Sequence, residues 1–524
     1  MQTVAGIAGA HEGGAAGTPH SSAETQHGAA RRTLVVALLL GVAADTAFRL
    51  LPDGLGWSLW VLALAAAALH VAAYRAHAVS REQQAWLAAA VLCAAAFAWR
   101  DAESLQFLNI LGTLVAIALF AMSATARPVP SLGVARIRDV MAAGLFTILD
   151  LIGGAPMLVA RDAELQGLGA VRGEASWTAL RAAILTVPLV IIVIALLSRA
   201  DPVFASVFSL PAFDVEQLVV HTIVTGAFAW WSAGWLRGAL LGVSTRATVP
   251  ERLPLRLGLV EVSTSLGAVI LLFAVFVGLQ LRWLFGGADV VLATTGLTVA
   301  EYARRGFFEL LALAALVLPL ILVTHALAAD DRVARRHRHL SLALVVLLSA
   351  IMASAFLRMR LYVAHFGLTA DRLTATALML WLAVVLVAMA FTVLRGRARR
   401  FAAITVLSAF VTLLTLNLLN PDLLVARVNL ARPAGAQEVD YAYLARLGGD
   451  AAPVVVQALQ GAAPSAVSCK AAQSLRTRWL GQRGTSWNLG AWRGRAAVEI
   501  GVPEAEVQRL CAGIPASAPP PVRS

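Results

Sequence analysis

The sequence predicts an all-α fold: a polytopic integral membrane protein with about 11 transmembrane helices and a small helical C-terminal extramembrane domain. Three observations predict it. Hydrophobic residues make up 59% of the 524 residues and charged residues only 14%, against roughly 25% charged in a soluble protein. The apolar residues fall in runs near the ~20 residues that cross the hydrocarbon core. Arginines, which carry nearly all the positive charge behind the formal net charge of +12, cluster in alternate loops. That placement reads as a topology signal and excludes a nucleic-acid-binding role for the basic charge.

Residues 1–30 are rich in Gly, Ala, Ser and His without apolar periodicity and read as a disordered cytoplasmic tail. No signal peptide precedes the first apolar run, which follows Arg31 and Arg32. The N-terminal membrane region, 31–178, holds four spans at 33–50, 57–73, 84–99 and 105–124. Segment 141–160 is apolar but contains Asp150, Gly153, Gly154 and Pro156, which interrupt a helix in lipid. It is expected to be interfacial or re-entrant. Seven spans follow in the membrane core, 179–419: 180–197, 217–241, 258–281, 306–327, 339–356, 374–394 and 401–419. Gly234, Gly238 and Gly242 share one helix face and admit a close neighbour, within the monomer or in a dimer.

Arg31/Arg32, Arg75/Arg81, Arg127/Arg136/Arg138, Arg246/Arg252/Arg256, Arg332/Arg335/Arg336/Arg338 and Arg395/Arg397/Arg399/Arg400 occupy alternate loops. The positive-inside rule places them in the cytoplasm, with the N-terminus inside and the C-terminal domain outside, in a bacterial inner membrane. That domain, 420–512, is expected to hold helices near 438–460, 465–480 and 503–512, before a disordered end at 513–524. Outside the cytoplasm, Cys469 and Cys511 meet an oxidising compartment and form a possible disulfide, with two free thiols as the alternative. Cys93 reads as a packed apolar residue.

On this topology several polar motifs collect on the outer face. The candidate binding residues are Asp201, Gln280, Arg282, Glu301, Tyr302, Arg304, Arg305, Arg358, Arg360, Tyr362 and Asn420. Ionisable residues at a membrane edge often line a cavity, and arginines offer two-pronged donors to phosphate or carboxylate. The same residues suit a structural network at helix ends. Thr298 with Glu301, and Thr369, read as helix caps. His337-Arg338-His339 reads as a solvated cytoplasmic face. No catalytic residue, metal site or cofactor is expected, because no CxxC, HExxH, GxxxxGK[ST] or GxSxG pattern occurs and His11, His20 and His27 are scattered tail residues.

These motifs carry a resemblance. Asp201-Pro202-Val203-Phe204, Gln280-Leu281-Arg282 with Phe285-Gly286-Gly287, Glu301 to Phe307, Arg358 to Tyr362 with Gly367-Leu368-Thr369, and Asn420-Pro421-Asp422 with Asp440 and Tyr443-Leu444 are similar to the bacterial membrane proteins described as domain of unknown function 4173, related to type 4153. The resemblance covers residues 180 to 450. It implies an integral membrane protein and no activity. Three readings of function follow: a non-enzymatic envelope scaffold or sensor, a transporter or lipid-handling protein using the outer-face arginines and carboxylates, or a membrane-embedded transferase acting on an envelope lipid or glycan. The expected partners are the lipid bilayer and an anionic lipid or envelope component.

Overall fold

The structure, a computed structural model, describes residues 19–50, 53–75, 78–123, 132–133, 135–163, 215–241, 256–295, 307–432, 439–481 and 488–514, with single positions at 186, 190, 193 and 197. Among the described residues all regular secondary structure is helical, apart from one isolated parallel bridge between Leu257 and Ala328. The long helices are α1 (Pro19–Leu50), α2 (Asp53–Tyr74), α3 (Arg81–Trp99), α4 (Glu103–Ser123), α5 (Ile137–Met157), α6 (Val215–Leu236), α7 (Leu259–Thr295), α8 (Phe307–Ala326), α9 (Asp331–Phe366), α10 (Ala370–Phe391) and α11 (Arg399–Leu419). Six short helices follow: α12 (Pro421–Leu430), α13 (Tyr441–Leu444), α14 (Ala452–Gln460), α15 (Ala466–Arg476), α16 (Leu489–Gly501) and α17 (Glu504–Leu510). Among the described residues, eight helices are long and apolar enough to cross a membrane. The expected span 180–197 lies almost wholly outside the described residues.

Three expectations about the course of the helices are corrected. First, Gly153, Gly154 and Pro156 do not break segment 141–160: α5 runs through them and continues as a π turn, Leu158–Asp162. Pro156 leaves Ile152 O without its helical donor, and Trp230 Nε1 donates to that oxygen at 2.9 Å. Second, α7 does not stop near residue 281. It carries Gln280, Arg282, Gly286 and Gly287 and ends at Thr295, so these residues lie on a helix instead of a loop. Arg358, Arg360 and Tyr362 are likewise inside α9. Third, residues 438–460 are not one helix. Gly448-Gly449-Asp450 separates α13 from α14, and a further helix, α16, occupies the Gly- and Trp-containing stretch between the expected helices.

The chain divides into two compact units. The first comprises 1–43, 66–79 and 148–244. Its core is small: Ala29, Ala30, Ala37, Ala155, Leu158, Ala163, Ala233 and Leu241. Small residues let backbones touch. A Cβ on Gly154 would stand 2.6 Å from Gly234 Cα, and one on Gly234 would stand 2.1 Å from Asp150 O. Gly234 and Gly238 therefore pack against α5 of the same chain; Gly242 lies outside the described residues. Both α5 and α6 end in π turns, and Asp162 of one pairs with Arg237 of the other, both buried. Around them, Arg31 Nε donates to Ala163 O at 3.1 Å, His27 Nδ1 lies 2.9 Å from Asp162 O, and Arg75 donates to Leu240 O. The two arginines thus meet carbonyls that helix C-termini leave orphaned.

The second unit comprises 44–65, 80–147 and 245–524. Its main core draws Leu266 and Phe273 from α7, Ile321 from α8, Leu344 and Leu348 from α9, Leu382 and Leu386 from α10, and Phe401 at the start of α11. Cys93 packs at the α3–α4 contact, its sulfur 3.1 Å from the position of a Cβ on Gly112. His337 is fully buried, correcting the solvated reading. Its Nε2 lies 3.0 Å from Thr324 Oγ1 and 3.1 Å from Ile321 O, which together satisfy a ring taken out of water.

Helix ends in this unit sort into two groups. Leu257 N donates to Leu327 O and Gln83 Nε2 to Ser123 O, joining the starts of α7 and α3 to the ends of α8 and α4. This end carries Arg81, Arg256, Arg332, Arg335, Arg336, Arg338, Arg395, Arg397, Arg399 and Arg400. At the other end α3, α9 and α11 finish, and the chain enters the C-terminal helices. Those helices share a core of Val425, Leu444, Val455, Leu459, Leu475, Val498, Val502 and Leu510. Cys469 of α15 and Cys511, just after α17, form a disulfide with Cα atoms 4.8 Å apart. Closing 42 residues of chain is worth about 4 kcal/mol in the loop-entropy picture.

Candidate functional site

The polar residues of the second unit converge where the bundle meets the C-terminal helices. The α3–α4 corner is Arg100-Asp101, and both residues reach across to the C-terminal segment. Buried Arg100 donates from Nε to Asn417 O at 2.9 Å and from Nη1 to Asp450 Oδ1 at 3.3 Å, and its guanidinium lies 3.9 Å from the Trp99 ring centre. Asp450 Oδ2 accepts from Asp101 N at 3.2 Å. Asp101 Oδ2 accepts from Gly449 N at 2.7 Å and Oδ1 from Asn488 Nδ2 at 2.8 Å. Below this corner Asn109 and Asn417 exchange two amide hydrogen bonds, 3.0 and 2.9 Å.

Asn420 turns the chain from α11 into α12. It has φ 54°, the only positive φ of a non-glycine described residue, a conformation that asparagine tolerates better than most side chains. Its side chain caps Leu423 N at 3.5 Å, and Pro421 occupies the first helical position, where its missing N–H costs nothing. Asp422 accepts from Gly448 N at 2.8 Å. Burial pushes the Asp422 carboxyl above the usual carboxylate range, and the Gly448 N–H tempers the rise. The glycines are needed for contact: a Cβ on Gly449 would lie 2.3 Å from Gly490 O, and one on Gly490 would lie 2.6 Å from Asp450 Oδ2.

A second tie holds the α9–α10 corner. Gly367, at φ 81°, lies so close to Asn429 that a Cβ would meet Oδ1 at 2.5 Å. Asn429 accepts from Leu368 N at 2.9 Å and donates to Leu368 O at 2.6 Å. Arg432 Nη2 donates to Ala364 O at 2.8 Å, and Tyr443 Oη accepts from Ala370 N at 3.0 Å. Thr369 caps α10, and Asp440 caps α13 through Tyr443 N at 2.9 Å. Burial raises the Tyr443 phenol above its ordinary value.

The residues singled out from the sequence are distributed unevenly. Asn420 belongs to the first tie. Tyr362 stands beside the second, with Arg372 over its ring at 4.0 Å and Phe366 at 5.1 Å. Arg358 is half-buried and Arg360 exposed on α9. Gln280 and Arg282 lie on α7, while Asp201, Glu301, Tyr302, Arg304 and Arg305 lie outside the described residues, as does the Thr298 cap. Sequence reasoning passed over Arg100, Asp101, Asp450 and Asn488. The local signals were an Arg-Asp pair set directly between two apolar runs and the Gly448-Gly449-Asp450 turn.

Chemically, this junction is a network in which carboxylates accept from backbone N–H, Asn or Arg donors. Among the described residues no group of three or more His, Cys, Asp or Glu side chains is arranged to hold a metal ion. An open groove of about 510 Å3 on the C-terminal helices is lined by Lys470, Gln473, Ser474, Thr477 and Arg478; Arg478 is partly engaged, donating to Leu447 O at 3.1 Å. Fold and junction together define a polytopic, all-helical integral membrane protein. The chain belongs to the family described as Domain of unknown function (DUF4153), whose model matches residues 87–458. No curated protein and no solved structure matches the chain.

Proposed function

We propose that this integral membrane protein is a non-enzymatic scaffold or sensor of a bacterial inner membrane, with its N-terminus in the cytoplasm and its C-terminal helices on the extracytoplasmic side. The observation that carries the reading is the junction. The C-terminal helices are fastened to the bundle at two corners, and the carboxylates there are occupied in fastening. A site for acid–base chemistry needs carboxylates open to a substrate. The orientation is supported by the arginine-bearing helix ends lying opposite the C-terminal helices within one unit, and independently by a disulfide in those helices. A kinship with the 4173 type is part of this proposal and rests on the motifs from Asp201 to Tyr443-Leu444, of which Gly367-Leu368-Thr369 and Asn420-Pro421-Asp422 lie at these corners.

A membrane-impermeant thiol reagent applied to intact cells, with and without prior reduction, in a Cys93→Ala background tests the orientation. Labelling of Cys469 and Cys511 only after reduction is the expected result. Labelling only in opened cells would overturn it. A lipid or solute that co-purifies with the wild type and is lost in Arg360→Ala would overturn the scaffold reading in favour of lipid handling or transport.

A further inference from the structure

The first compact unit gathers its cations at one end. Arg32 lies over the Tyr74 ring at 3.9 Å, and a Cβ on Gly28 would stand 2.9 Å from Tyr74 Oη, so the first turns of α1 meet the close of α2. Arg75, the next residue, donates to Leu240 O in the π turn that ends α6. Arg31 Nε donates to Ala163 O, just past the π turn that ends α5. Buried Arg237 pairs with Asp162 and joins those two π turns. Five guanidinium groups, those of Arg31, Arg32, Arg75, Arg161 and Arg237, therefore stand at one end of the unit. Of these, Arg31, Arg32 and Arg161 are exposed.

Open apolar surface begins directly beyond these cations. Helix α1 has the length and composition of a membrane span, and on it Val35, Leu38, Leu39 and Val42 are between 51% and 62% exposed. Val35 follows Arg32 by three residues, about 4.5 Å along the helix. An exposed apolar stripe on a span faces acyl chains, so cations one turn beyond its edge stand at the depth of the headgroups. Arginine also presents the paired donors that fit two oxygens of one phosphate. We propose that this end of the first unit binds a phospholipid with a net negative headgroup. Arg31, Arg32 and Arg161 hold its phosphate, and its acyl chains lie on the exposed stripe of α1. Inorganic phosphate would satisfy the guanidinium groups but leave the apolar stripe bare, so the occupant is a lipid. Unmatched positive charge favours an anionic headgroup over a zwitterionic one. The site stands whichever compartment this end meets, and whether or not the protein is a scaffold.

Native mass spectrometry of the full chain, titrated in detergent with phosphatidylglycerol or with phosphatidylcholine, tests the site. Phosphatidylglycerol should be retained well above phosphatidylcholine; equal retention would overturn the proposal. The Arg161 side chain carries none of the ties between helix ends described above, so Arg161→Gln leaves those ties in place. It should weaken phosphatidylglycerol binding about fivefold, the effect of one cation beside an anionic headgroup. Arg161→Lys, which keeps the charge, should recover most of that loss. Arg31→Gln combined with Arg161→Gln should weaken binding about 25-fold. Arg397, an exposed arginine of the second unit, is the control for general surface charge, and Arg397→Gln should leave retention unchanged. Unchanged retention in Arg161→Gln, or an equal loss in Arg397→Gln, would overturn the site. Excess inorganic phosphate should not displace the lipid. Displacement would assign the guanidinium groups to a soluble anion and overturn the lipid as occupant.

Discussion

At the junction with the C-terminal helices, carboxylates accept backbone N–H groups: Asp101 from Gly449 and Asp422 from Gly448. At the ends of α5 and α6, guanidinium groups donate to backbone carbonyls: Arg31 to Ala163 and Arg75 to Leu240. Each region also contains a buried ion pair, Arg100–Asp450 in one and Arg237–Asp162 in the other. The surrounding charge is opposite in sign because the backbone need is opposite. A tight glycine turn presents unpaired N–H groups, whereas a helix C-terminus presents unpaired C=O groups. Buried charge here follows the orphaned backbone group.

The largest expected effect separates the two regions. Arg100→Ala strands Asp450 without its cation, which costs about 3–5 kcal/mol for a buried pair. The C-terminal helices should then become sensitive to limited proteolysis. Arg237→Ala should cost a similar amount while leaving those helices resistant. Equal loss of resistance in both variants would show that the two networks do not act separately.

A smaller effect tests backbone contact at the junction. Gly449→Ala forces a Cβ against Gly490 O and should destabilise by about 1–3 kcal/mol. Gly461→Ala, where the nearest atom to a Cβ is 3.8 Å away, should change the melting temperature little. Asn429→Ala removes both hydrogen bonds to Leu368 and should cost about 1–2 kcal/mol. Asn429→Asp, which keeps the acceptor for Leu368 N, should recover part of that in a thermal-shift measurement.

The smallest effect is a pH dependence. Burial raises the Asp422 carboxyl in the folded protein. A raised acid favours folding in its protonated form. Its contribution is therefore complete below the ordinary carboxylate value and is lost as pH rises through the raised folded value. Asp422→Asn can still accept from Gly448 N. It should shift stability by no more than about 1 kcal/mol and flatten this part of the melting profile between acid and neutral pH. A wild-type profile already flat there would remove Asp422 from the comparison.

Much of the fold was legible because its signals are local. Runs of apolar residues identify membrane helices wherever they sit, since lipid imposes the same requirement on each segment. Thr369 could be read as a helix start from adjacent residues alone. The glycine face of Gly234 and Gly238 was legible as a close-contact surface, though not what it would touch. Arg360 and Tyr362 were visible as polar residues near a span end, but their place on a continuous α9 was not.

By itself the sequence determined the class of protein, an all-helical chain crossing a membrane many times, and the arginine asymmetry of its loops. Hydropathy and charge act residue by residue, so these features need no knowledge of neighbours in space. Only the tertiary structure decided which polar residues meet. Arg100 and Asp450 are 350 positions apart and Asp101 and Asn488 are 387 apart, and nothing local in either partner specifies the other. The same holds for α16, whose glycines look like helix breakers until Gly449 is seen packed against Gly490. His337 looks solvated for the same reason, until the carbonyl of Ile321 and the hydroxyl of Thr324 are found beside it. Satisfying buried polar groups is a pairwise condition, and the pairs exist only once the chain has folded.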